Sequence, residues 1–160
     1  MKITPRIEES KARKLIGVSC HMSILNNRTA ELWSGFRPRV SEIFHRVSPD
    51  FISLQNYPED YFRHFDPKKS FEKWAAVEVL EVSNIPKGMQ FFELPAGKYA
   101  VFEYKGTSSD PRIFQYIYNE WLPTSRYRLD HRPHFEVLGE KYKNNDPNSE
   151  EQIWVPILDY

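Results

Sequence analysis

The sequence predicts an α+β domain: a strand-helix-strand-strand module occurring twice, with an antiparallel sheet, two helices on one face and a central ligand cleft between the halves. Three observations carry that expectation. An alternating strand followed by an amphipathic helix occurs early and again past the midpoint. Each helix is followed by two more strand-like runs. The 160 residues suit one domain, with pseudo-repeats over about 12–83 and 92–158 and a core that needs neither disulfide nor metal.

Lys14 to Leu25 (KLIGVSCHMSIL) is the first strand, with Val18, Cys20, Met22 and Ile24 on one face. Asn26-Asn27 marks a turn, Thr29 is the expected N-cap of a helix, and Glu31 meets the helix dipole. Leu32, Phe36, Val40, Ile43 and Val47 trace its apolar stripe. Pro38 falls inside that stripe, which predicts a kink or two abutting helices near Arg37. Strands follow at Asp50 to Tyr57 and within Phe71 to Val82, and Asn84 to Gly88 is a connector. The second half opens with the strand Lys98 to Lys105. Asp110-Pro111 then starts a helix with the stripe Ile113, Phe114, Ile117, Tyr118, Trp121 and Leu122, closed by Pro123. The last strands lie around His134 to Leu138 and Glu151 to Leu158, joined by the hydrophilic loop Lys141 to Glu150.

Twenty-two Lys and Arg balance 22 Asp and Glu. That balance argues against direct, sequence-independent nucleic-acid binding and against attachment to an anionic membrane, both of which need clustered excess cation. Cys20 stands alone, the N-terminal MKITPRIEESKARK is too charged for a signal peptide, and no apolar run is long enough to span a bilayer. A cytoplasmic protein is the expectation. No cofactor motif is present: glycine is scarce, and His131 and His134 flank Pro133, which denies them the shared helical face a metal site would use. The 24 aromatic residues, by contrast, are a large share of the apolar set. Such residues build both cores and pockets for flat organic molecules, so both readings stand.

The most specific text is PAGKYAVFEYKG (Pro95 to Gly106), EWLPTSRY (Glu120 to Tyr127), RPHFE (Arg132 to Glu136) and QIWVPI (Gln152 to Ile157). In that order the four motifs resemble the GyrI-like small-molecule-binding family, which includes effector domains of AraC-type and MerR-type multidrug regulators and relatives of the DNA gyrase inhibitory protein. The first half matches more loosely, through the early strand and ELWSGFRPRV. The resemblance implies a cleft that takes hydrophobic, aromatic, often cationic molecules against ring walls and one carboxylate. It places the acid in the late strands, at Glu136 or at the position before IWVPI. That position is Gln152 here, a departure from the family's usual Glu, so Glu136, or Glu103 or Glu78 from the inner strands, would carry the charge. Trp33, Trp121 and Trp154 are the ring candidates, with Tyr57 and Tyr104 behind them. Alternation puts Gln152, Trp154 and Pro156 on one side. Beside a stand-alone binding protein, the resemblance leaves open a hydrolase of reactive natural-product electrophiles, with a Glu activating water, and a module that binds a protein such as DNA gyrase or a regulator. No helix-turn-helix segment is expected, since the double module uses all 160 residues.

Overall fold

A computed structural model describes residues 2–160. Nine strands make the sheet: β1 (Arg6–Ser10), β2 (Arg13–Met22), β3 (Phe51–Asn56), β4 (Phe71–Val79), β5 (Gln90–Leu94), β6 (Gly97–Lys105), β7 (Tyr127–Leu129), β8 (His134–Leu138) and β9 (Glu150–Asp159). Their order is β1-β6-β9-β8-β3-β4-β2-β5, every pairing is antiparallel, and β7 joins the end of β9. Both halves trace the same path. The first strand pairs with the third, the third with the second, and the two second strands, β3 and β8, meet in the middle of the sheet.

The edges depart from what the sequence shows. β1 and β5 were not expected, and they are exchanged: β1 borders β6 of the second half, while β5, which precedes β6, borders β2 of the first. Gly17 of β2 lies between β4 and β5, where a Cβ would collide with the Ala75 carbonyl oxygen, so only glycine lets the strands approach this closely.

Helix α1 (Thr29–Phe36) turns at Pro38 into a 3-10 segment, Arg37–Glu42, because proline cannot donate to the preceding turn. The break is where the proline predicts it, but Thr29 is the first helical residue rather than the cap, and its N–H is taken by the Asn27 side chain at 2.9 Å. Ile43 and Val47 of the expected stripe lie beyond the helix. Helix α2 (Arg112–Tyr116) runs on through a π-helical turn, Ile117–Trp121, into a last turn, Leu122–Thr124. Pro123 removes a backbone donor there, and the Thr124 hydroxyl serves the freed region by donating to the Glu120 and Trp121 carbonyls at 2.8 and 3.1 Å.

Both helices lie on one face. Under α1, Ile16, Phe36, Ala75, Val77 and Val79 form one apolar cluster; under α2, Phe102, Ile113, Ile117, Ile153 and Val155 form another. A third core covers the opposite, helix-free face with Leu15, Leu54, Trp74, Tyr99, Phe135 and Trp154 drawn from both halves. The sheet curls enough to bring Arg13 of β2 over the rings of Trp154, at 4.7 Å, and Phe135, at 5.4 Å, while Glu78 holds its guanidinium at 3.3 Å. That concavity is filled by the protein's own side chains.

Candidate functional site

Where α1 lies over β2 and β4, and α2 packs on β6 and β9, the central strands β3 and β8 are left between them on the helical face. Alternation decides what they present there: Ser53 and Gln55 from β3, His134 and Glu136 from β8. Ser53 stands opposite Glu136, and Gln55 opposite both His134 and Lys73 of β4. From β9, Glu151, opposite Tyr104, faces the same way. Ser53, Gln55, Lys73, His134 and Glu151 are each less than a tenth exposed, so the polar residues buried in this sheet gather along the line where the halves join. Buried polar groups are costly without partners, which makes such a gathering informative.

Glu136 is the centre of it. Gln55 Nε2 donates to its Oε1 at 3.0 Å. The residue is half-buried and its carboxyl lies deep enough to be desolvated; Tyr57 and Tyr118 share that combination. Burial pushes the Glu136 carboxyl above its ordinary range, against the opposing pull of Lys73 and Gln55. Glu151 is pushed up to about 8, by burial first and repulsion from Glu136 second. Burial draws the Lys73 ammonium below its usual range, while Glu136 and Glu151 hold it up. At neutral pH Glu151 therefore keeps its proton, and Glu136 and Lys73 are the acid and the base left on either side of Gln55.

Aromatic rings close one end of this strip. Tyr57 meets His134 edge-on at 5.0 Å, and the Tyr118 hydroxyl shares a hydrogen bond of 2.9 Å with His134 Nδ1. The π-helical turn carries Tyr118 to that contact, and such turns recur where a helix presents a functional side chain. The loop after β3 folds Tyr61 and Phe62 back over the site: Phe62 stacks on His134 at 5.3 Å and leans on Tyr118 at 5.2 Å. Burial pulls His134 down to about 3, so its ring is neutral.

Of the residues singled out from the sequence, the structure brings Glu136 and Tyr57 together here. Trp33, on α1, borders the strip by meeting Phe51 edge-on at 5.7 Å. Tyr104 lies beside Glu151, but its hydroxyl donates to the Thr107 carbonyl at 2.8 Å. Trp121 packs edge-on against Phe102 in the core of α2. Gln152 and Trp154 project from the helix-free face, where Trp154 stacks on Phe135 at 5.1 Å and donates to Gln152 Oε1. Glu103 and Glu78 share that face, paired with Arg6 and Arg13. Sequence reasoning passed over Lys73, Gln55, Tyr118 and Glu151; for Glu151 alternation shows only that it shares a face with Ile153 and Val155, and the packing shows that this is the face under the helices.

Residues 3–158 match the family profile of the GyrI-like small molecule binding domain. The chain belongs to that family. It is 32% identical over 156 residues to the transcriptional regulator BrlR of Pseudomonas aeruginosa, covering 95% of this chain but only 54%, about half, of that protein. The fold is similar to SAV2435 bound to tetraphenylphosphonium (TM-score 0.66, 18% identity, 98% of this chain and 94% of the other). It is also similar to a hydrolase encoded by lin2189 from Listeria innocua (TM-score 0.63, 10% identity, 98% and 93%). Among the described residues no helix is long and apolar enough to cross a membrane.

Proposed function

We propose that this GyrI-like domain binds a hydrophobic, aromatic organic molecule at the seam between its halves, with Glu136 as the polar anchor. The observation that carries the reading is the Glu136 carboxylate: on a half-buried residue, held by Gln55, and near Tyr57 and Tyr118, on which Phe62 packs. A carboxylate with raised proton affinity in a ring-lined recess favours a ligand that brings positive charge on a flat apolar body. The ring faces add attraction for the same ligand, and Phe62, on a loop, can shift to admit it. That SAV2435 was captured with tetraphenylphosphonium supports the class of ligand.

The test is a fluorescence-anisotropy titration with planar rhodamine dyes. At least one should bind saturably, and Glu136→Gln should weaken it about tenfold, the loss expected for one interaction to a charged group. No saturable binding up to millimolar protein, or unchanged affinity in Glu136→Gln, overturns the proposal. The lin2189 hydrolase keeps a second reading alive, since a carboxylate of raised pKa can also activate water. It separates cleanly: Glu136→Gln would then abolish turnover of a strained electrophile while binding persists.

A further inference from the structure

Lys73 does not fit a site built for simple cations. Lys73 is 6% exposed, it lies opposite Gln55 on one side and Cys20 on the other, and among the described residues its ammonium has no hydrogen bond or ion pair, keeping only a narrow contact with water. Drawing an ammonium this far out of water without a protein partner is costly, so its retention needs a reason. Glu136 does not supply a direct partner: it is engaged by Gln55, which stands between the two.

Across four neighbouring strands, β9, β8, β3 and β4, the strip thus runs acid, acid, amide, ammonium. Adjacent strands lie about 4.8 Å apart and each residue rises about 3.3 Å, so two strands and a two-residue offset put the Glu136 and Lys73 backbones roughly 12 Å from each other. That is the span of a fused aromatic ring system. One end of the strip is acidic and the other basic.

We propose that the ligand is amphoteric: a flat aromatic body carrying a cationic group for Glu136 and, across its width, a carboxylate or sulfonate for Lys73. A simple cation would satisfy Glu136 but bring its charge towards the ammonium, and a simple anion would meet two acids. Only a molecule with both charges answers both ends, which makes Lys73 the residue that sets specificity. This inference rests on the seam being the ligand site.

A matched pair of dyes tests it. Rhodamine 110 is a zwitterion at neutral pH, and rhodamine 123, its methyl ester, is the corresponding cation. The wild-type protein should bind rhodamine 110 about tenfold more tightly. Lys73→Met, which keeps the length of the stem, should remove that preference by weakening rhodamine 110 and strengthening rhodamine 123, and Lys73→Arg should keep it. Equal affinity for the two dyes, preference for the ester, or equal shifts of both in Lys73→Met overturns the inference while leaving the seam as a binding site. Failure of both dyes to bind removes the site itself. If Lys73→Met does not fold, the wild-type preference decides alone.

Discussion

Glu151 makes the sharpest demand on the description of the seam. Its side chain is 9% exposed, its carboxyl has no hydrogen-bond partner among the described residues, and Glu136, Lys73 and Tyr104 are the titratable groups around it. In the unfolded chain this carboxyl ionises near 4.5; in the fold it holds its proton up to about 8. Between those values the folded state binds more protons than the unfolded one, so stability falls as pH rises, by about 1.4 kcal/mol per pH unit. Over the whole window the loss reaches about 5 kcal/mol as an upper limit, since water entering the seam would lower it. Glu151→Gln preserves shape and a donor but cannot ionise. The variant should match the wild type near pH 4.5, gain on it steadily, and lead by several kcal/mol above pH 8. Urea unfolding of both proteins at pH 5, 6, 7, 8 and 9 measures the gap directly, because every other carboxyl and lysine is shared. A gap that stays constant across the series would refute the burial argument, and a gap that closes as pH rises would reverse its sign.

The remaining predictions concern packing. Gly17→Ala drives a methyl into the Ala75 carbonyl oxygen between β4 and β5, and should cost about 1–3 kcal/mol in a denaturant titration unless the strands separate. Phe62→Ala uncovers the stacked face of His134 and should weaken dye binding several-fold while leaving the melting temperature within a few degrees, because Phe62 is 42% exposed already.

How much of this could be read beforehand differs from element to element. The break at Pro38 follows from a missing backbone donor, a local fact, and it falls where the proline sits. β1 and β5 escaped because RIEES and QFFEL are short edge strands with one side open to water, so neither shows clean alternation. Alternation correctly grouped Gln152, Trp154 and Pro156, but it cannot say which face of a sheet the helices cover. That depends on tertiary packing, and it is why Glu151, next door, turned out to share the seam with Glu136. Lys73 was invisible for a related reason. A lysine in a strand reads as solvated, and only its position at the join of two half-sheets makes it buried.

The exchange of edge strands has a consequence for how the molecule comes into being. Arg6 to Ser10 dock against Gly97 to Lys105, so β1 must wait until the whole of the first half and then β6 have been synthesised before it has a strand to pair with. Gln90 to Leu94 clasp the first half from the far side of the connector. Neither half can finish by itself, and contacts so remote along the chain slow folding. The two are buckled into a single cooperative unit, and a cut between them would strip each of its outermost strand.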